Sequence, residues 1–281
     1  MPGTLTLATR GSALALAQAG LTSALLQEAL PGTSVKTLVL TTTGDRQTQW
    51  ALHEHGGKGL FTKELEEALL EGRADIAVHS AKDLPTELPP GLALAGYLPR
   101  ADARDVLVRR KECPHPTLIA SGSPRRREQG AKLWPAAKWT ELRGNVETRL
   151  RKIAEGQADA TILAAAGLAR LGIKEYPGLV FEPLDTGDMI PAAGQAAIAI
   201  ECRSSDLPSY APLLDQRTGF AVTLERTLLA KLGGGCHSAV AAYFDGSAIH
   251  ALLPGGKALR MEIVGRDIEG AIATITNELL G

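Results

Sequence analysis

Four observations predict an α/β protein of about two domains followed by a small α+β domain. Short apolar runs rich in Val, Ile, Leu and Ala alternate with helical segments, which implies βαβ units and mostly parallel sheets. A length of 281 residues suggests two domains or three small ones. Its 44% hydrophobic content supports substantial cores, and the 22% charged content argues against disorder. Towards the C-terminal end the pattern changes to three strand candidates separated by glycine turns and closed by a helix.

Leu5–Thr9 reads as a strand, Arg10-Gly11-Ser12 as a tight turn, and Ala13–Leu30 as a helix stopped by Pro31-Gly32. A short turn between strand and helix points backbone N–H groups at an anion. Arg10 stands at that junction, although an ordinary βα turn fits equally. Val35–Leu40 is the next strand. Residues 46–59 lack periodicity and end in Gly56-Gly57-Lys58-Gly59, the pattern of a long mobile loop or lid. The spacing is not that of a nucleotide-binding P-loop. Thr62–Glu71 is helical through Leu65, Ala68 and Leu69, and Asp75–Ser80 returns to the sheet.

The stretch Ile76-Ala77-Val78-His79-Ser80-Ala81-Lys82-Asp83-Leu84-Pro85 organises the chain. It is a buried strand that ends in a charged loop, where Pro85 takes the chain out of the sheet. Ligands of open α/β sheets bind beyond the carboxyl ends of strands. A carboxylate beside an ammonium at such a point is a candidate acid/base or cation-stabilising group, with a Lys–Asp surface pair as the plainer alternative.

Leu92–Leu98 is a strand, and Asp105–Val108 looks like a strand crossing into a second domain. Leu118–Ala120 leads into a helix capped by Ser123, with Pro124 at its first position. Arg125, Arg126 and Arg127 then occupy the first turn, where the helix dipole disfavours cations. An anion site is one explanation and a solvated charged face the other. Trp139–Leu142 is a short strand before Arg143-Gly144-Asn145, and Val146, Leu150 and Ile153 mark a helix carrying Arg149. Asp159–Ala164 is a strand running into Ala165–Arg170. In one parallel sheet Arg125, Arg126, Arg143, Arg149 and Arg170 would share a rim, suited to a ligand with several carboxylates or phosphates.

Ile190–Arg203 reads as a loop and a buried strand crossing back to the first domain, and residues 204–215 as a polar linker. A helix over Thr218–Leu232, strands at Val240–Phe244, Ala248–Leu253 and Leu259–Val264, and a helix at Ala271–Leu280 complete the chain. The expected domains are 1–98 with 190–212, 99–189, and 213–281.

The net charge of −1 gives no sign of a nucleic-acid partner, but residues 121–152 hold nine Lys and Arg against three Glu. A local excess of one sign suits an anionic ligand. Cys113, Cys202 and Cys236 are far apart and odd in number, a poor disulfide framework that suggests a reducing compartment. With no signal-peptide pattern and no apolar run long enough to span a bilayer, a cytoplasmic location is expected. No His/Cys cluster has zinc spacing, so no metal is expected. Cys236 follows Gly233-Gly234-Gly235, which lets a thiol approach a ligand closely. Among arginines its thiolate would be favoured. Cys202, inside a strand, reads as a small buried hydrophobe.

Taken together, these motifs resemble the porphobilinogen deaminase (hydroxymethylbilane synthase) family. They are Ala8-Thr9-Arg10 with Ser12, Gly56-Gly57-Lys58-Gly59-Leu60-Phe61, Ala74–Ser80 with Lys82-Asp83, Arg125-Arg126, Leu142–Val146 with Thr148-Arg149-Leu150, Ala165–Leu168 with Arg170, and Gly234-Gly235-Cys236. They span nearly the whole chain in the family's order.

The resemblance implies two α/β domains like those of periplasmic binding proteins plus a small α+β domain, with the active cleft between the first two. It implies a dipyrromethane cofactor held as a thioether by Cys236. Porphobilinogen is added to it stepwise with loss of ammonia, and hydroxymethylbilane is released. Asp83 matches the catalytic aspartate. Lys82, Ser80, Ser123, Arg125, Arg126, Arg143 and Gly167 fall at cofactor contacts, Arg10, Ser12, Arg149, Arg170 and Gln195 at substrate contacts, and Lys58 and Phe61 in the lid. The resemblance further implies a heme-pathway transferase, a small anionic pyrrole substrate, and a monomer without nucleic-acid or membrane partners.

The chain departs from the family pattern at Glu54, Pro124, Gly233 and His237-Ser238-Ala239, and at Ala196, where a second glycine after Gly-Gln is usual. A passive anion-binding module of similar fold would need the arginines but neither Asp83 nor a looped cysteine. As a secreted receptor it would need a signal peptide, and as a regulator a DNA-binding helix-turn-helix. An inactive homologue could keep the fold, but Asp83 and Cys236 stand together here.

Overall fold

The computed structural model describes residues 3–46, 61–235, 238–265 and 267–280. In chain order the elements are β1 (Thr4–Arg10), α1 (Ala13–Ala29), β2 (Ser34–Leu40), α2 (Thr43–Arg46), α3 (Lys63–Leu70), β3 (Ile76–Ser80), β4 (Leu92–Tyr97) and β5 (Asp105–Arg110). There follow β6 (Leu118–Ala120), α4 (Pro124–Leu133), β7 (Lys138–Thr140), α5 (Val146–Ala154), β8 (Ala160–Ala164), α6 (Ala165–Arg170), β9 (Leu179–Pro183) and β10 (Ile198–Arg203). The chain ends with α7 (Leu207–Tyr210), α8 (Gln216–Lys231), β11 (Ala241–Phe244), β12 (Ala248–Leu252), β13 (Ala258–Glu262) and α9 (Ile268–Leu280).

Two compact units result, 1–101 with 197–220, and 102–196 with 221–281. The first contains a five-stranded sheet of order β2-β1-β3-β10-β4, and the second one of order β7-β6-β8-β5-β9. The two orders are the same arrangement. In each, three parallel strands are followed by an antiparallel strand, β10 or β5, and then by a strand antiparallel to that one. The sheets are therefore mixed: four strands in each run the same way, and a single reversed strand, β10 or β5, is inserted among them. A continuous apolar run such as Ile198-Ala199-Ile200 specifies burial on both faces but not direction, so the sequence does not reveal the reversal.

Helix starts follow local chemistry. Ser12, Ser123 and Asn145 cap α1, α4 and α5, each accepting from the backbone N–H three residues on. The first core gathers Leu5, Leu7, Ile76, Val78, Ile198 and Ile200 beneath α1, while α3 covers the other face through Leu65, Ala68 and Leu69. Residues 204–215 are not an open linker. Short helical turns run through α7, and Tyr210 and Leu214 pack into the first core. Their Ser and Pro content resembles a loop because short helical turns begin with such residues. In the second unit, Leu107, Ile119, Ile162 and Met189 form one side of the core and Val106, Val108, Leu150 and Leu163 the other. A separate antiparallel sheet of order β11-β12-β13 also lies in residues 221–281. Among the described residues no helix is long and apolar enough to cross a membrane.

Candidate active site

In the first unit, β3 ends at Ser80 and Ala81–Asp83 form a single 3-10 turn. Ala81 N–H donates to the Ala197 carbonyl at 3.0 Å and Leu84 N–H to the Ala81 carbonyl at 3.3 Å, which fixes the turn at both ends. Asp83 is exposed there, and Lys82 is partly exposed. The Asp83, Ser80 and His79 side of a pocket comes from this exit, Arg10 and Ser12 come from the end of β1, and Phe61 and Thr62 from the segment before α3.

Most of these groups are held by neighbours. Ser80 exchanges hydrogen bonds with Gln18 of α1, the shorter at 2.8 Å. Ser12 spends its hydroxyl on the Ala15 N–H. Arg10 pairs with Asp45, which also accepts from the Thr42 hydroxyl at 2.7 Å, and its guanidinium stacks over the Phe61 ring at 4.3 Å. That stacking depends on Gly44, where a Cβ would stand 2.2 Å from the Phe61 ring. Burial raises the carboxyl of Asp45, but Arg10 and Thr42 outweigh it and leave it below the usual carboxylate range. Gln18 and Asp45 were not legible as site residues. The one available signal was a polar residue at a buried position of an Ala/Leu helix.

In the second unit β6, β7 and β8 run parallel and adjacent, so the exits leading to Arg125 and Arg126, to Arg143 and Arg149, and to Arg170 do share a rim. Their surroundings differ. Arg125 and Arg126 are buried, and both reach Asp105 at the start of β5, each by a 2.7 Å bond. Arg125 also donates to the Ile190 carbonyl and Arg126 to that of Ile162. Gln195 closes the network, donating to Asp105 at 3.1 Å and to the Ala103 carbonyl at 2.8 Å. Burial opposes the charge on Asp105, yet the two guanidiniums hold its carboxyl well below the usual range. Two of the three cations in the first turn of α4, Arg125 and Arg126, are thus explained by an internal carboxylate on another strand. Burial lowers Arg125 in turn.

Arg143 and Arg149 are partly exposed, with Arg143 beside Glu141 and Arg149 donating to the Gly144 carbonyl at 2.7 Å. Arg170 donates to the Ala196 carbonyl at 2.5 Å. Ser123 serves as a helix cap, and Gly167 is buried in α6. Lys58, Glu54, Cys236 and His237 lie outside the described residues. Among the described residues no group of His, Cys, Asp and Glu is arranged to hold a metal ion.

A family model described as porphobilinogen deaminase, dipyromethane cofactor binding domain, matches residues 5–210. The chain belongs to the porphobilinogen deaminase family. It is 44% identical over 273 residues to porphobilinogen deaminase of Roseiflexus castenholzii, covering 94% of this chain and 87% of that one. It is 46% identical over 239 residues to the Sulfurimonas denitrificans protein of the same name, covering 83% and 76%. A solved structure, the BvgS VFT2 domain of Bordetella pertussis, aligns at a TM-score of 0.46 and 18% identity over 80% of this chain and 92% of that one. As a member of this family, the chain is a transferase of tetrapyrrole synthesis that uses a dipyrromethane cofactor. It condenses porphobilinogen stepwise into hydroxymethylbilane with release of ammonia.

The donor set fits such a group. Dipyrromethane carries acetate and propionate side chains, and partly exposed arginines at one sheet rim are planar donors matched to carboxylates.

Proposed function

We propose that Asp83 is the catalytic carboxylate of this enzyme. The observation that carries the reading is its position. It is exposed on a turn fixed at both ends, beyond the carboxyl end of a buried strand, in a pocket that Arg10 also lines. Loss of ammonia from porphobilinogen leaves a cationic methylene-pyrrolenine, and attack on it by the free α-carbon of the preceding ring develops a second cation on that ring. Asp83 stabilises both charges and takes the proton that leaves the attacking α-carbon.

The remaining residues bind and orient. Arg10, Ser12, Arg149, Arg170 and Gln195 hold porphobilinogen. Lys82, Ser80, Ser123, Arg125, Arg126, Arg143 and Gly167 hold the dipyrromethane carboxylates, and Cys236 carries the group as a thioether. When bound, the cofactor supplies the pyrrole end to which the first substrate is joined. Arg143, Arg149 and Lys82 suit direct contact because they are partly exposed. Arg125 and Arg126 act with one charge already neutralised by Asp105, which leaves the pair suited to a single further carboxylate. Lys58 and Phe61 belong to the lid. The proposal includes a separate 213–281 domain, a monomer without nucleic-acid partners and a cytoplasmic location.

Intact mass of the purified protein, followed by peptide mapping, tests the reading. A shift equal to two linked pyrrole units on the Cys236 peptide is expected. A Cys236 that stays unmodified after incubation with porphobilinogen or preformed hydroxymethylbilane contradicts it.

A further inference from the structure

Beside the Asp83 pocket, three ionisable side chains are closed off from solvent. β3 and β10 pair antiparallel, with His79 opposite Ala199 and Ala77 opposite Glu201. Side chains alternate across a strand, so His79 and Glu201 project from one face of the sheet. α3 packs on that face, its Leu65, Ala68 and Leu69 clustering with Ala77, and Glu66 is buried with them.

His79 Nε2 lies 2.9 Å from Glu201 Oε2, with side-chain exposures of 4% and 0%. The contact is an ion pair by distance, but the geometry does not make it a hydrogen bond. Both Glu201 oxygens, His79 Nε2 and Glu66 Oε1 are buried without hydrogen-bond partners. The other charged groups on the surrounding elements are Arg10 from the end of β1, paired with Asp45, Lys82 and Asp83 from the turn after β3, Glu67 next to Glu66 on α3, and Arg203 of β10, which donates to the Leu69 and Ala74 carbonyls and is paired with Asp75 and Asp206.

Two ionised carboxylates facing a neutral imidazole would leave uncompensated negative charge in a dry site, which proteins avoid by taking up protons. Burial pushes the Glu66 carboxyl up. The Thr62 hydroxyl works against that, and the Glu201 charge adds to the rise. His79 and Thr62 line the same pocket as Asp83, so the charge of this cluster is felt where Asp83 works.

We propose that Glu66, His79 and Glu201 act as one buried, proton-holding group behind the Asp83 pocket, with a proton on Glu66 facing the close His79–Glu201 pair. The proton keeps unbalanced negative charge out of the wall of the pocket that His79 and Asp83 both line. The three are positioning residues. An ionised Glu66 would instead place unbalanced negative charge beside the catalytic carboxylate. The inference rests on the reading of Asp83 as catalytic and assigns the electrostatic support of that site.

Infrared spectroscopy of the wild-type enzyme at pH 7 provides the test, because a protonated carboxyl absorbs apart from carboxylates. A protonated-carboxyl band is expected in the wild type, retained in Asp83→Asn and lost in Glu66→Gln. In kinetics, Glu201→Gln is expected to displace the pH profile of kcat and lower it about tenfold at pH 7 with KM unchanged, and Glu201→Asp to recover part of the loss. Absence of the band from wild-type enzyme, or its persistence in Glu66→Gln, overturns the proposal whether or not the Glu201 variants fold. So does an unaltered kcat profile in a folded Glu201→Gln. Undiminished turnover in Asp83→Asn with the band present would instead overturn the reading of Asp83.

Discussion

Asp105 accepts a 2.7 Å hydrogen bond from Arg125 with both side chains buried, so an arginine that reads from sequence as a ligand contact is first a structural partner. Removing one member of a buried pair leaves an uncompensated charge and costs about 3–5 kcal/mol. Asp105→Asn strands Arg126 as well, and is expected to lower the free energy of urea unfolding by that amount. The sign with pH follows from the lowered carboxyl. Its contribution is complete above the ordinary aspartate value of about 4 and is lost as pH falls through the folded value. The stability gap between wild type and Asp105→Asn should therefore narrow only in acid.

Ala196 has a φ of +68°, where this family usually has glycine, and it packs with Ala103, Ala166 and Tyr243. Glycine would relieve about 1–2 kcal/mol of left-handed strain but lose a buried methyl worth about 0.8 kcal/mol and gain unfolded-state freedom. These terms nearly cancel, so Ala196→Gly should change stability by less than about 1 kcal/mol. Ala196→Val adds branching to the strain and overpacks the site, and should cost more than about 2 kcal/mol. Urea unfolding of the two variants measures the contrast.

Cys202 is buried in β10, and burial pushes its thiol up to about 11. Alkylation at pH 8 should leave Cys202 unlabelled in the folded protein and label it after denaturation, as read by peptide mass. A raised thiol stabilises the fold fully below the unfolded value of about 8.5, and that contribution is lost as pH rises towards 11. Cys202→Ala should remove this part of the alkaline decline.

Local signals were legible and distant partners were not. Ser123 with Pro124 announces α4, and the helices read after Arg10-Gly11-Ser12 and Arg143-Gly144-Asn145 start there as α1 and α5. The turn carrying Asp83 was legible because Pro85 and the apolar run before it are contiguous. The direction of β5 and β10 was not, since a run buried on both faces carries no sign of strand polarity. β9 escaped because Leu179-Val180-Phe181 is short and followed by Pro183. Arg125 and Arg126 were recognised as unusual, but their partner Asp105 sits on another strand and only folding brings it near. Gln18 and Asp45 were missed for the same reason, as each meets its partner through tertiary packing.

Turnover of Asp83 variants tests the central claim most directly. Asp83→Asn keeps the shape and removes the charge and the basic site, so kcat should fall by about 10²–10⁴ while the fold and thermal midpoint are unchanged. Asp83→Glu displaces the carboxylate by one methylene and should fall by about 10². Porphobilinogen consumption by Asp83→Asn within about twofold of the wild-type rate would contradict the assignment of Asp83 as the catalytic group.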